Sequence, residues 1–177
     1  MHVPLVMSLI GQDRPGLVEA VASVVAEHGG NWLESRMCRL GGEFAGILRV
    51  TVGEEKQGAL TQALKDLQGR GLLVVVQPDH GEPGAVGQRE VSLELVGQDR
   101  PGIVSQITQV LSRHQVNVEE FSSECASAPM SGETLFQALA HLQIPASCNV
   151  PALRKELETI AGDLMVDITL KECPGGE

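Results

Sequence analysis

A hexapeptide with chemically useful side chains, Gly-Gln-Asp-Arg-Pro-Gly, occurs twice in the chain, at residues 11–16 and 97–102. Its aspartate, Asp13 or Asp99, can accept charge-assisted hydrogen bonds from an ammonium group. An amphipathic segment follows each copy, and the free N–H groups at the start of a helix attract a carboxylate. The two peptides are therefore candidate receptors for a zwitterion such as an amino acid.

Asn31 and Asn117 are repeated with the same spacing from the hexapeptide, and each opens the next predicted strand. That strand is expected to lie beside the first helix. A side-chain amide both donates and accepts hydrogen bonds. The two asparagines are therefore a second candidate element of each receptor.

The glycine spacing of the hexapeptide also matches the G-x-x-x-x-G of a phosphate-binding P-loop. That motif continues with Lys and then Ser or Thr, whereas Leu17-Val18 and Ile103-Val104 follow here. Without the lysine nothing holds the β- and γ-phosphates. A phosphate loop is therefore excluded.

A catalytic role for the hexapeptide would require a second reactive side chain beside the aspartate. Asp13 and Asp99 have no His, Cys or carboxylate repeated beside them. His28 and His114 are repeated, but they fall at the far ends of their predicted helices, where an imidazole suits the negative end of the helix dipole. We therefore expect no enzymatic activity.

A purely structural role for the hexapeptide stays open beside the receptor hypothesis. Glycine would permit a tight turn from strand to helix, and aspartate would satisfy free helix N–H groups. Pro15 and Pro101 would be good first helical residues. This role does not account for the glutamine and arginine present in both copies.

The two hexapeptides belong to a longer duplication, with a constant shift of 86 residues. The apolar residues keep the same phase after the motif for more than twenty residues, as in the pair Val21 and Ile107. Upstream, the apolar residues Leu5, Met7 and Leu9 occupy alternate positions, which is the period of a strand with one buried face. Each copy is therefore predicted to form the same fold.

Each copy shows the order strand, helix, strand, strand, helix, strand. This predicts an α+β protein made of two ferredoxin-like βαββαβ domains in tandem, each an antiparallel sheet with both helices on one face. After the first strand and helix, strands are expected at residues 31–40 and 43–52 around a Gly41-Gly42 hairpin, a helix at 54–68 and a strand at 72–77. The second copy is expected to have strands at 117–126 and 133–143 around a longer loop at 127–132, a helix at 151–161 and a strand at 164–170.

The resulting domain division is a first domain at 1–77, a linker at 78–88 that is rich in Pro and Gly, a second domain at 89–171 and a tail at 172–177. The uncovered faces of the sheets are expected to need a partner, which is either the other copy or another chain.

Composition narrows the class of partner. The formal net charge is −10, and the chain contains only one Trp, three Phe and no Tyr. A polyanion is repelled by such a surface, and stacking platforms for bases lack their aromatic residues. Direct binding to nucleic acid is therefore not expected.

The four cysteines, at residues 38, 125, 148 and 173, form no C-x-x-C pair and fit neither a disulfide framework nor a metal site. The N-terminus lacks the basic segment of a signal peptide, and no apolar run is long enough to span a membrane. These features predict a cytoplasmic protein with free thiols, without a metal and not associated with a membrane.

The pattern G-x-D-R-P-G-[LI]-V after a strand, then an amphipathic helix and an Asn, resembles the ACT domain, and both halves carry it. Two such copies resemble the family of glycine cleavage system transcriptional repressors. The resemblance implies a regulator, without a cofactor, that senses glycine or a serine-like amino acid. It also implies a protein partner such as a transcription factor, and we expect a homodimer.

In serine-sensing ACT domains, such as that of phosphoglycerate dehydrogenase, the ligand lies between two ACT units. It contacts the loop before the first helix of one unit and the Asn of the other. The ligand-binding residues that this resemblance implies are Gly11, Gln12, Asp13, Arg14, Gly16 and Asn31 in the first copy, and Gly97, Gln98, Asp99, Arg100, Gly102 and Asn117 in the second.

Gly11 and Gly97 stand where the serine-binding loop begins with a histidine, so serine specificity does not carry over. The missing side chain is expected to leave room for backbone contact with the ligand. Two alternatives remain: an ACT scaffold without a ligand, and a regulatory part of a metabolic enzyme. Formyltetrahydrofolate deformylase begins with a similar ACT segment, but its catalytic domain would have to follow.

Overall fold

The computed structural model describes residues 1–81, 88–127 and 133–172. The chain divides into two compact units, Met1–Glu82 and Pro83–Glu177. In the first unit the elements are β1 (His2–Gln12), α1 (Leu17–Glu27), β2 (Asn31–Leu40), β3 (Glu43–Gly53), α2 (Gln57–Asp66) and β4 (Leu72–Pro78). Short 3-10 helices, Glu54–Lys56 and Leu67–Arg70, flank α2.

The second unit repeats this order. Its elements are β5 (Arg89–Gln98), α3 (Ile103–Arg113), β6 (Asn117–Ser127), β7 (Thr134–Ile144), α4 (Val150–Leu164) and β8 (Val166–Glu172). The sheets are antiparallel, with strand orders β2-β3-β1-β4 and β6-β7-β5-β8. The predicted α+β, ferredoxin-like fold is confirmed in both units.

The duplication extends to irregularities of the backbone. The register between β2 and β3 shifts between Trp32 and Glu34, and that between β6 and β7 shifts between Val118 and Glu120. These positions are again 86 residues apart. The two copies therefore share a β-bulge as well as a sequence motif.

Each unit has its own apolar core on one face of its sheet. In unit 1 the alternate residues Leu5, Met7 and Leu9 are buried together with inward residues of α1 and α2 such as Val21 and Leu60. Unit 2 has the matching cluster. Each fully buried Leu or Val contributes about 1.5–3 kcal/mol relative to its exposed state. The helices therefore cover one sheet face, as the alternation predicts.

The helices begin and end differently from expectation at three places. Leu17 and Ile103, not Pro15 and Pro101, are the first helical residues, because the preceding glycines have φ near +90° and cannot continue a right-handed helix backwards. Helix α4 runs to Leu164, which was expected to open the last strand. Met165, with φ +54°, then reverses the chain into β8.

The start of the predicted linker is tied to unit 1. Pro78 ends β4, and the Asp79 carboxylate accepts hydrogen bonds from the Gly81 N–H at 2.8 Å and from Arg49 Nε at 2.5 Å. These two donors hold the pKa of Asp79 below its usual range. The rest of the linker at 82–87, the hairpin residues 128–132 and the tail residues 173–177 lie outside the described residues.

In the described ranges, no helix is long and apolar enough to cross a membrane.

Candidate functional site

The two repeated loops are anchored in the same way. The Asp13 N–H donates to the Gly42 carbonyl at 2.9 Å, and the Asp99 N–H donates to the Thr134 carbonyl at 3.0 Å. Both acceptors belong to the hairpin side of the sheet, where β2 meets β3 or β6 meets β7. Each loop is therefore held at the same end of its sheet as the hairpin.

The two aspartates differ in their surroundings. Asp13 Oδ2 lies 3.3 Å from Arg39 Nη1, and the Asp13 side chain is 31% exposed. Arg39 pairs with Phe44, and the equivalent pair in unit 2 is Cys125 with Phe136. Unit 2 therefore has a thiol where unit 1 has a guanidinium.

Asp99 is exposed, and in the described part of the chain its carboxylate has no hydrogen bond or ion pair. A carboxylate without a partner can accept hydrogen bonds from an incoming ammonium group. Of the two aspartates, Asp99 is the more available for a ligand.

The helix starts next to the loops keep free donors. Among residues 1–81, 88–127 and 133–172, no side chain accepts a hydrogen bond at the N-terminus of α1 or α3. The capping role expected for the aspartates under the structural alternative is therefore wrong. The first backbone N–H groups of each helix are open to an anion.

The arginines of the loops reach towards the last strand of each unit. In unit 1, Arg14 donates a hydrogen bond to the Arg70 carbonyl, just before β4. In unit 2, Arg100 donates to Gln98 Oε1 at 2.9 Å and lies 3.9 Å from Met165 Sδ, just before β8. The arginine of each loop therefore contacts the segment before the last strand of its unit, through different partners.

The two first glycines of the motif are required by packing. A Cβ on Gly11 would lie 2.4 Å from the Gly71 carbonyl oxygen, and a Cβ on Gly97 would lie 2.9 Å from the Met165 carbonyl oxygen. The space that a side chain would take is filled by the chain itself. The expectation that this space admits a ligand is therefore wrong.

A cavity of about 260 Å³ opens beside the loop of unit 1. It lies between the loop, the first turn of α1 and the 3-10 helix Leu67–Arg70. Arg14, Arg70 and Glu19 line it, so both signs of charge are present. The cavity can therefore meet the carboxylate and the ammonium of a zwitterion.

The asparagines lie far from the loops of their own units. Asn31 pairs with Thr51, which pairs with Pro4, whereas the loop leaves β1 after Gln12. At about 3.4 Å per strand residue, this separates Asn31 from the loop by more than about 25 Å. Asn117 has the equivalent position in unit 2. Within one unit, the predicted site residues therefore form two separate groups.

Three residues near the loops escaped the sequence analysis. Arg39 is not repeated, so a search for shared residues passes over it, and its strand position carries no motif. Arg70 and Glu19 become neighbours of the loop only through the packing of the 3-10 helix against α1. The only sequence signal at these three residues is the amphipathic pattern around Glu19. That pattern indicates a helix and does not indicate a binding site.

His28 and His114 lie at the C-terminal ends of α1 and α3. His28 Nδ1 lies 2.8 Å from the Val24 carbonyl oxygen, and His114 Nε2 lies 2.8 Å from Glu156 Oε2. Each follows the last residue of its helix, as expected. Among the described residues, no three His, Cys, Asp or Glu side chains are grouped so that they could hold a metal ion.

Relatives of known sequence match one or both halves of the chain. The glycine cleavage system transcriptional repressor of Escherichia coli K12 is 26% identical over 166 residues, covering 90% of this chain and 85% of the relative. A UPF0237 protein from Methanopyrus kandleri is 32% identical over 78 residues, covering 44% of this chain and 80% of the relative. The first alignment thus extends across both units.

The crystal structure of an unknown protein from Galdieria sulphuraria matches with a TM-score of 0.83 and 30% identity, covering 98% of this chain and 99% of the other. Models of the ACT domain match residues 3–77 and residues 91–141. These matches lie on the two βαββαβ units that carry the repeated loops. The chain belongs to the ACT domain family and consists of two ACT domains in tandem.

Proposed function

We propose that the chain is an amino-acid-sensing regulator, not an enzyme, and that it binds a small amino acid such as glycine at interfaces between ACT units. The observation that carries this proposal is the combination of uncapped helix N–H groups with an aspartate in the same loop. The N–H groups suit the carboxylate of the ligand, and the aspartate suits its ammonium group.

The position of the asparagines supports an interface site. Asn31 and the Asp13 loop lie at opposite ends of one unit. A second ACT unit that runs in the opposite direction alongside the first would place its own asparagine near the loop. A binding site there would be formed by two units together. Ligand binding would therefore change how the units associate.

The E. coli relative is named for repression of the glycine cleavage system. By analogy, the regulated process would be glycine or related amino-acid metabolism. The net charge of −10 disfavours direct contact with DNA. Regulation would therefore pass through a protein partner such as a transcription factor.

The test is calorimetry on the full chain with glycine, L-serine and the other common amino acids. We expect Asp99→Asn to weaken binding by roughly tenfold or more, because a hydrogen bond to a charged group contributes about 1.5–3 kcal/mol. Asp13→Asn should have the smaller effect, since Arg39 already neutralises Asp13. Asp163→Asn, an exposed change on α4, is the isosteric control and should leave binding unchanged.

The absence of binding for every amino acid would contradict the proposal and favour the scaffold alternative. Turnover of formyltetrahydrofolate by the purified chain would contradict the regulatory, non-enzymatic part. Equal losses in Asp99→Asn and Asp163→Asn would show that the ligand lies elsewhere.

A further inference from the structure

The sheet of unit 1 has an apolar face that α1 and α2 do not cover. We call it the open face of unit 1, and it is formed by the alternate strand residues Val6, Ser8, Ile10, Ala45, Ile47, Leu73 and Val75. The large apolar side chains there are exposed: Ile10 by 47%, Ile47 by 57%, Leu73 by 45% and Val75 by 46%. Apolar surface of this kind, when contiguous, marks an interaction site.

The register shows that the exposed residues are contiguous. Ser8 pairs with Ile47 on one side and with Val75 on the other, and Ile10 pairs with Leu73. These residues therefore occupy three neighbouring strands in two successive rows. Neighbouring strands are about 4.8 Å apart, so the side chains form one patch.

Two pairs of opposite charge lie at the margin of this face, and the Glu43 carboxylate lies at its hairpin end. Arg49 Nε lies 2.5 Å from Asp79 Oδ2, and Arg36 Nη1 lies 3.1 Å from Glu34 Oε1. The margin is therefore close to neutral. A second surface of the same kind could approach it without bringing like charges together.

The equivalent face of unit 2 keeps apolar side chains at two positions, Val96 for Ile10 and Leu139 for Ile47, but is polar at four others. Glu94 takes the place of Ser8, Gln137 that of Ala45, Asp167 that of Leu73 and Thr169 that of Val75, as the strand pairing shows. Both sheets have the same topology. Folding alone therefore does not require apolar residues at these positions, and their presence in unit 1 calls for another reason.

We propose that two copies of this chain associate through the open faces of unit 1, related by a two-fold axis. A two-fold interface places one patch against itself, which suits a face that is apolar and neutral at its margin. A surface like that of unit 2 would have to bury the Glu94–Lys171 ion pair and the Asp167 carboxylate against Ile47 and Leu73, and taking charges out of water is costly.

The area of the open face is sufficient for a weak dimer. The three strands that carry the apolar residues, together with the polar strand β2 at the edge, lie about 4.8 Å apart and over the seven residues of β4 cover roughly 450 Å² per copy, or roughly 900 Å² for two copies. The longer β1 and β3 add to this. Specific interfaces begin at about 1,000 Å², so the dimer belongs to the small, concentration-dependent class.

The test is sedimentation velocity of the full chain over a wide concentration range. We expect the wild type to form dimers as the concentration rises. Leu73→Asp combined with Val75→Thr should raise the dissociation constant at least about tenfold, because each dimer would bury two new carboxylates. These two residues are the ones that the unit 2 sheet carries at the same positions, so the fold tolerates them.

Leu139→Glu is the matched control, since Leu139 occupies on unit 2 the position of Ile47 on unit 1 and is also exposed. It should leave the dimer intact, whereas Ile47→Glu should dissociate it. Circular dichroism checks that each variant is folded. A wild type that stays monomeric at every concentration, an oligomer unchanged in both unit 1 variants, or equal effects of Ile47→Glu and Leu139→Glu would overturn the proposal.

Discussion

At the scale of single residues, the repeated motif combines a glycine that close packing requires with an aspartate that can bind a charged group. Gly11 and Gly97 allow the end of one strand to pass close to the segment before the last strand. The aspartates that follow diverge, because Arg39 pairs with Asp13 whereas Cys125 stands at the matching position beside Asp99. Identical hexapeptides therefore lie in surroundings of different charge.

We predict that Gly11→Ala lowers the free energy of unfolding by about 1–3 kcal/mol, because the new methyl group overlaps a backbone carbonyl that cannot turn away. Urea denaturation measures the change. Gly162→Ala is the control: its Cβ would meet nothing within 4 Å. On helix α4 it should raise stability by up to about 1 kcal/mol. Similar losses in both variants would refute the packing role.

At the scale of elements, the helix starts divide into two kinds. Helices α1 and α3 begin after a left-handed glycine with no side-chain cap, next to the candidate loops. Helix α4 begins with Asn149, whose side chain accepts a hydrogen bond from the Ala152 N–H at 3.1 Å. The free donors therefore lie where a ligand is proposed, and the capped start lies elsewhere.

We predict that Asn149→Ala lowers the free energy of unfolding by about 1 kcal/mol, because the cap bond is lost. Asn149→Asp should keep most of the stability, since a carboxylate caps equally well. Thermal or urea denaturation distinguishes the variants. Equal losses for Ala and Asp would mean that the cap contributes little to α4.

At the scale of the whole molecule, two copies of one fold have kept their topology and changed their surfaces. Each has a separate apolar core. The open face is more apolar in unit 1 than in unit 2, and among the residues that the structure describes a loop aspartate pairs with an arginine in unit 1 alone. The duplication therefore leaves one fold with two sets of surface chemistry.

We predict that the two cores respond independently. Leu48→Ala should cost unit 1 about 2–5 kcal/mol, since the side chain is fully buried. Hydrogen exchange should then accelerate in β1 and β3 but not in β5 and β7. Leu142→Ala should give the reverse pattern. Faster exchange in both units after either change would show that they unfold together.

Local pattern in the sequence determined the duplication, the order of strands and helices and the repeated loop. Period-two alternation at Leu5, Met7 and Leu9 and the helical stripe after residue 17 are properties of neighbouring residues, which an isolated sequence displays. The Gly41-Gly42 hairpin was predictable for the same reason, and both glycines have positive φ. The αL conformation of Gly16, which delays the helix to Leu17, was the local feature that the pattern did not reveal.

Only the tertiary structure decided which residues lie together around the candidate loops. It brought Arg39 to Asp13 and the Gly71 carbonyl to Gly11, and it separated Asn31 from the loop by the length of the sheet. These relations join residues distant in sequence and depend on strand register and close packing. No local period encodes them, because a side chain's neighbours across a sheet are set by how the strands pair.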